Sequence, residues 1–125
     1  MRRDWDLIRK MILAIEDAPS GWAPELSELS FEGYTAAQVG YHAWLLIDAG
    51  LADGKRVDIM PSEAPEGAIM TLTWAGHDFA EAMRNDTTWN KAMGTVKEKV
   101  GSITFDLLKQ LLSSIIKATL GLPPG

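Results

Sequence analysis

The chain contains no cysteine, which excludes disulfide bonds, thiolate nucleophiles and thiolate metal sites. It also has no long apolar run near its N-terminus, so we expect no signal peptide. The most apolar segment, residues 103–122, carries Asp106, Lys109 and Lys117, which makes it a poor membrane span. These absences predict a cytoplasmic protein that has no membrane partner.

Sequence motifs of catalysis are missing as well. There is no glycine-rich phosphate loop, no His-Glu-x-x-His pair and no nucleophile elbow. The only histidines are His42 and His77, and a metal site would need both in one place with added carboxylates. Glu63 and Glu66 would work as an acid–base pair only inside a cleft formed around a loop. We therefore expect no enzymatic activity, no metal and no cofactor.

Positive charge is scarce in most of the chain. Residues 1–90 hold seven Lys or Arg against fifteen Asp or Glu, whereas residues 91–125 hold five Lys against two acids. The acidic part would repel a phosphate backbone at long range. The basic end would either neutralise the acidic part or meet an acidic partner.

The sequence does contain a series of amphipathic segments that are typical of helices. Apolar residues recur at helical spacing in the first, and Thr35 with Gln38 forms a capping box at the start of the second. Gly50 stands where a left-handed C-cap belongs. The predicted helices are Asp4 to Asp17, Thr35 to Ala49, a segment capped by Thr73 and ending near Asn85, a segment capped by Asp86 or Thr87, and a last helix that follows Gly101-Ser102 and runs to about Thr119.

Two short runs between the second and third helices are typical of a β-hairpin. Residues 56–60 and 69–73 are predicted to be its strands, with residues 61–67 as the loop. Residues 24–31 fit either one helical turn or a strand, and we favour a short strand. The order predicts an α+β, winged-helix-like core: helix, short strand or turn, helix, two-stranded wing and helix. We assign the core to residues 1–86 and a helical C-terminal extension, packing on the body or on a partner, to residues 87–125.

Several fragments resemble the uncharacterised bacterial and phage family called domain of unknown function 2513. They include Arg3-Asp-Trp-Asp-Leu-Ile-Arg9, Leu46-Ile-Asp-Ala-Gly-Leu51 and Leu72-Thr-Trp-Ala-Gly-His77. The order of these fragments along nearly the whole chain is more specific than any one of them. The resemblance implies a winged-helix-like fold and a phage or prophage origin, and it supplies no catalytic residues.

DNA binding is the usual function of a winged helix, and it requires cations and base-reading side chains. The helix at 35–49 carries no Lys or Arg, and Gln38 is its one good base reader. Lys55 and Arg56 lie at the base of the wing. We keep these three residues as candidate nucleic-acid contacts, and a DNA-binding transcriptional regulator as the alternative function.

Tyr41 and Trp44 fall on the helix side opposite Val39, His42 and Leu46, so they need cover or a partner. Either the C-terminal helices cover them or they form a protein-binding patch. Of the five tryptophans, Trp5, Trp74 and Trp89 are predicted to pack in the core or between helices, and Trp22 to be exposed. His42 is predicted to be half-buried and to donate one hydrogen bond.

The last helix has a broad apolar stripe that includes Leu111 and Ile115, with Lys109 and Lys117 on the other side. Such a stripe must be buried on the body, on a second copy or on a partner. The sequence thus predicts a small non-catalytic accessory or regulatory protein that acts through protein contacts. Its partner would be an unidentified protein, or a second copy in a homodimer formed through the C-terminal helix.

Overall fold

A computed structural model describes residues 1–26, 29–57 and 65–123. In these ranges the chain forms five α-helices and one two-stranded antiparallel sheet, so the predicted α+β class is confirmed and a winged-helix-like arrangement is compatible with it. None of the described helices combines the length and apolarity of a membrane span. The elements are α1 (Trp5–Glu16), a 3₁₀ turn (Ala23–Leu26), α2 (Ala36–Asp48), β1 (Ala52–Val57), β2 (Glu66–Leu72), α3 (Trp74–Met83), α4 (Asp86–Lys99) and α5 (Phe105–Leu120).

The chain divides into two compact units, residues 1–80 and 81–125, with the division inside α3. The core of the first unit is built on α1, which begins because the Asp4 carboxylate accepts the backbone N–H of Leu7 over 3.1 Å. The apolar face of α1 is fully buried, as its periodicity predicts. Its buried members are Leu7, Ile8, Met11, Ile12 and Ile15.

The second helix starts at the predicted capping box. The Thr35 hydroxyl accepts the N–H of Gln38, and the Gln38 side chain accepts the N–H of Thr35 over 2.8 Å. The helix ends before Gly50, whose φ of 75° is left-handed and therefore suits glycine. Val39, His42, Ala43 and Leu46 form its buried face.

The predicted hairpin exists, but its first strand begins earlier than expected. Ala52 pairs with Leu72 and Val57 with Glu66, so β1 includes Asp53 and Gly54, which are poor strand formers by themselves. Pairing with β2 recruits them into the sheet, and the register shifts between these two residues. Residues 66 and 67 belong to β2 and not to the loop, whereas the predicted strand residues 58–60 and loop residues 61–64 lie outside the described ranges.

The expected strand within residues 24–31 is wrong for the residues that the structure describes. Ala23–Leu26 forms a 3₁₀ turn, and residues 29–31 are not in a strand. Pro24 explains the turn, because its ring fixes φ near the helical value and removes an N–H at a position where a helix needs none. This turn contacts β2.

The second unit holds α4 and α5, which pack against each other. The N-cap of α4 is Asn85, whose side chain accepts the N–H of Thr88 over 2.9 Å, and not Asp86 or Thr87 as predicted. Asp86 instead occupies the first turn, where its charge favours the helix dipole. The α5 helix begins at the cap Thr104 and ends at Gly121, with φ of 74°.

Candidate functional site

A stacked aromatic cluster lies where α2 meets β1. The rings of Tyr41 and Trp44 are stacked with centroids 6.3 Å apart and planes 25° apart, as their spacing of three residues allows. The Arg56 guanidinium carbon lies 5.8 Å from the Trp44 ring centroid. Arg56 Nη1 also donates to Asp48 Oδ1 over 3.0 Å. We call Tyr41, Trp44, Arg56 and Asp48 the aromatic cluster.

The hairpin itself lies against α2 at this cluster. A side-chain carbon on Gly67 would stand 2.5 Å from the backbone nitrogen of Trp44 and 2.6 Å from the carbonyl carbon of Ala43. Only glycine therefore permits β2 to approach α2 so closely. The expected cover for Trp44 was the C-terminal helices or a partner. The wing supplies a third source of cover, which helical spacing alone does not reveal.

The two aromatic residues are only partly covered. Tyr41 and Trp44 are both half-buried. The indole nitrogen of Trp44 is enclosed, and it has no acceptor among the described residues. The cluster therefore presents ring surface and a neutralised cation to solvent, while the one donor of the indole points inward.

The three candidate nucleic-acid contacts differ in whether their polar groups are already bound within the protein. Gln38 Oε1 is occupied by the Thr35 N–H in the capping box, and Arg56 is paired with Asp48. Lys55 is exposed on β1. Gln38 and Arg56, two of the three predicted contacts, are thus already engaged in interactions within the protein.

A polar junction that the sequence did not reveal joins α1 to α2 at His42. This side chain is 1% exposed, so it is fully buried and not half-buried. Both ring nitrogens have backbone partners: the N–H of Asp4 at 2.8 Å and the carbonyl of Gln38 at 2.7 Å. The helical position of His42 predicted its packing, but no local signal could predict a bond to a residue 38 positions earlier.

Tyr34 lies at the same junction. Its burial, together with the charge of Asp4 and a hydrogen bond to that carboxylate, raises the pKa of the Tyr34 hydroxyl, and the charge of Asp6 acts in the same direction. The Lys10 ammonium lies 5.4 Å from the Tyr34 ring centroid. These groups hold the start of α1 in place.

His77 stands in the first turn of α3, as expected, and its Nδ1 lies 3.0 Å from Glu16 Oε2 of α1. Among the described residues no group of three or more His, Asp or Glu side chains is placed to hold a metal ion. Of the two acids that would form an acid–base pair only inside a cleft, Glu66 is exposed on β2, while Glu63 lies outside the described ranges.

The solvent exposure of the tryptophans agrees only in part with the prediction. Trp89 is 2% exposed, as expected, and Trp22 is exposed, also as expected. The predicted packing of Trp74 in the core or between helices is wrong, because its side chain is 85% exposed. The hydroxyl of Thr73 accepts the N–H of Gly76 and donates to the carbonyl of Gly50. These two bonds fix the start of α3, so the side chain of Trp74 points outward.

The apolar stripe of α5 is only partly buried. Leu108 and Leu112 are fully buried, whereas Leu111, Ile115 and Ile116 are half-buried. Leu107 is 54% exposed. The predicted interaction residues Leu111 and Ile115 thus border on solvent.

Comparison with known sequences gives the family. The sequence profile of the family described as "Hypothetical protein (DUF2513)" matches residues 2–102. A relative from Haemophilus influenzae, described as "Uncharacterized protein", is 34% identical over 120 residues, which is 96% of this chain and 99% of the relative. No solved structure matches the chain. The resemblance expected from the sequence motifs is confirmed, and the chain belongs to the DUF2513 family, a family of unknown function.

Proposed function

We propose that this protein is a non-catalytic binding protein that acts through protein–protein contacts, and that the aromatic cluster is one of its contact surfaces. The observation that carries the proposal is the stack of Tyr41 on Trp44 with Arg56 beside it, held in place by Asp48.

The residue types in the cluster favour a protein partner. Trp, Tyr and Arg are the residues most enriched in interface hot spots. Stacking and the ion pair to Asp48 already limit the rotamers of these side chains, so binding would cost little additional conformational entropy. A partner would pack against the flat aromatic rings and accept hydrogen bonds from the outward-facing N–H groups of the Arg56 guanidinium.

The charges around the cluster weigh against nucleic acid as the main partner. The α2 helix has no Lys or Arg, and the charge of Arg56 is balanced by Asp48. The acceptor that Gln38 would use in a bidentate contact with adenine is committed to the capping box. A DNA-binding regulator remains the alternative, and it would have to break one or both of these interactions.

The setting of this function belongs to the same proposal. A phage or prophage setting is supported by the resemblance of the sequence motifs alone, and a cytoplasmic location by the lack of an apolar signal-like or membrane-spanning run in the sequence.

The experiment compares Tyr41→Ala with Trp22→Ala. Both variants remove one aromatic ring with solvent exposure, but only the first lies in the aromatic cluster. The immobilised wild-type protein and both variants are incubated with a lysate of the source cells, and the retained proteins are quantified. We expect the wild type and Trp22→Ala to retain a shared partner, and Tyr41→Ala to bind it about 30-fold more weakly, which is about 2 kcal/mol.

The alternative function is tested by selection from random duplex DNA. Recovery of one sequence motif with a dissociation constant near or below ~10⁻⁸ M, lost in both Gln38→Ala and Arg56→Ala, would replace this proposal by DNA binding. Equal partner retention by Tyr41→Ala and Trp22→Ala would remove the aromatic cluster from the contact surface.

A further inference from the structure

An unpaired carboxylate borders the aromatic cluster. The Glu66 side chain packs on α2 at Gly40, where its Cγ lies 3.2 Å from the position that a side-chain carbon on Gly40 would take. Gly40 precedes Tyr41 directly and lies about one helical turn before Trp44, so Glu66 is next to the stacked rings. The Glu66 side chain is exposed, and its carboxylate has no hydrogen bond or ion pair within the described part of the chain.

The charges at this surface do not cancel once Glu66 is included. Asp48 balances Arg56 over 3.0 Å, which leaves the carboxylate of Glu66 as the net charge beside the rings. The same sign prevails over residues 35–73, which hold five Asp or Glu against two Lys or Arg. Because a surface of net negative charge attracts cations and repels anions, this one favours a positively charged partner.

One ring of the stack has no cation beside it. The Arg56 guanidinium carbon lies 5.8 Å from the Trp44 ring centroid, whereas no Lys or Arg of the described ranges lies over the ring of Tyr41. Tyr41 is half-buried, so part of its ring faces solvent. An aromatic face attracts a guanidinium, and a neighbouring carboxylate can accept charged hydrogen bonds from the same group.

We propose that the aromatic cluster binds an exposed cationic segment of another protein, and that an arginine of this segment stacks on Tyr41 and pairs with Glu66. This inference rests on the proposed function, because it names the chemistry of the partner at the same surface. Backbone carbonyls of the segment accept hydrogen bonds from Arg56, whose charge Asp48 already balances. Arginine fits better than lysine, since its planar guanidinium stacks on a ring and still donates two hydrogen bonds to one carboxylate.

Selection from a displayed library of random peptides tests this chemistry without the natural partner. The full-length wild-type protein is the bait, and synthetic copies of the recovered peptides are titrated against the variants in solution. We expect the peptides to be enriched in arginine over lysine and depleted of acidic residues. Tyr41→Ala should bind them about 30-fold more weakly, and Trp22→Ala should bind them as the wild type does.

A matched pair of variants isolates the charge of Glu66. Glu66→Gln keeps the size of the side chain at Gly40, and we expect it to bind the peptides about fivefold more weakly, as the loss of an exposed charge pair predicts. Asp53→Asn removes the same charge at the other end of the hairpin, where Asp53 pairs with Thr71. That end is about 15 Å from Glu66 along the strand, beyond the screening length of about 8 Å at physiological salt, so Asp53→Asn should bind normally.

The ionic strength gives a second measure of the same contact. Added salt should weaken the binding of the peptides to the wild type and to Asp53→Asn more than to Glu66→Gln, because the variant at position 66 has already lost the screened charge. An equal response to salt in all three proteins would contradict the pairing of an arginine with Glu66.

Two other results would overturn this inference and leave the proposed function standing. One is a set of peptides that Tyr41→Ala fails to bind but that has no excess of arginine, and the other is equal binding by Glu66→Gln and Asp53→Asn. A library that yields no binding peptide also overturns the inference, since the surface is proposed to recognise an exposed segment. Peptides that bind Tyr41→Ala as tightly as the wild type, together with equal lysate retention by Tyr41→Ala and Trp22→Ala, would remove the proposed function as well.

Discussion

The backbone N–H of Asp4 donates a hydrogen bond to Nε2 of His42 over 2.8 Å, while Nδ1 of the same ring lies 2.7 Å from the carbonyl oxygen of Gln38. Because Nε2 accepts and Nδ1 must donate, these partners fix a neutral tautomer. Asp4 also caps α1 through its side chain. One buried ring thus links the N-terminus of α1 to the middle of α2.

We predict that His42→Leu lowers the free energy of unfolding by about 2–4 kcal/mol. The substitution leaves the N–H of Asp4 without its acceptor, while the carbonyl of Gln38 keeps its helical bond, and an unsatisfied buried polar group costs more than the net value of the bond. Chemical denaturation followed by circular dichroism measures the loss.

The matched control for that change is His77→Leu. The only other histidine also bridges two helices, to Glu16, but its side chain is 50% exposed. An exposed side-chain contact of this kind contributes below about 1 kcal/mol, so His77→Leu should have a small effect. If both variants lost the same stability, the junction at His42 would not be a special feature of the fold.

Tyr34 should give the protein an alkaline instability. Its burial and the nearby Asp4 carboxylate raise its pKa above the usual value of about 10. A folded pKa above the unfolded one means that the stabilisation is fully present below about pH 10 and is lost as the pH rises through the folded pKa. Unfolding measured across this range should show wild-type stability falling towards that of Tyr34→Phe.

The phenolate absorbance provides a direct check on the same group. The chain has two tyrosines, so Tyr41→Phe leaves Tyr34 as the only phenol. We expect that variant to ionise above about pH 10 in the folded state and at its ordinary pKa in denaturant. An identical titration in both states would contradict the burial of the hydroxyl against Asp4.

The sequence predicted those features that depend on neighbouring residues. Thr35 and Gln38 are three residues apart, so their capping box is visible in the sequence, and so is the left-handed position of Gly50. The start of β1 was missed because Asp53 and Gly54 become strand only by pairing with residues far along the chain. Trp74 was misplaced because periodicity indicates which residues share a face, and the cap at Thr73 sets where that face points.

The candidate site was predictable to a similar extent. Helical spacing places Tyr41 beside Trp44, but the close approach of Gly67 to α2 and the pairing of Arg56 with Asp48 are tertiary relations. They determine how much of the aromatic cluster remains for a partner, and no local pattern carries that information.

We predict opposite effects for two glycine-to-alanine changes. In Gly67→Ala the new methyl group would overlap the backbone at Ala43 and Trp44, so the hairpin must move away from α2, at a cost of about 1–3 kcal/mol. Gly94 is exposed within α4 and has open space around it, so Gly94→Ala should stabilise the protein by about 0.5–1 kcal/mol. Thermal and chemical unfolding of the two variants provide the measurement, and a loss of stability in both would show that the contact at Gly67 is not what distinguishes them.

Trp44 should tolerate the loss of its indole nitrogen but not of its ring. The enclosed N–H has no acceptor among the described residues, so Trp44→Phe removes a donor that makes no hydrogen bond there while keeping an aromatic ring beside Tyr41 and Arg56. We expect Trp44→Phe to change the free energy of unfolding by less than about 1 kcal/mol, and Trp44→Ala to lower it by about 2–3 kcal/mol through lost packing. Chemical denaturation separates the two contributions, with Trp22→Ala as the control for removing an exposed indole. Equal damage from Trp44→Phe and Trp44→Ala would mean that the indole nitrogen has an acceptor outside the described residues, and that this hydrogen bond, rather than the stack, holds the aromatic cluster together.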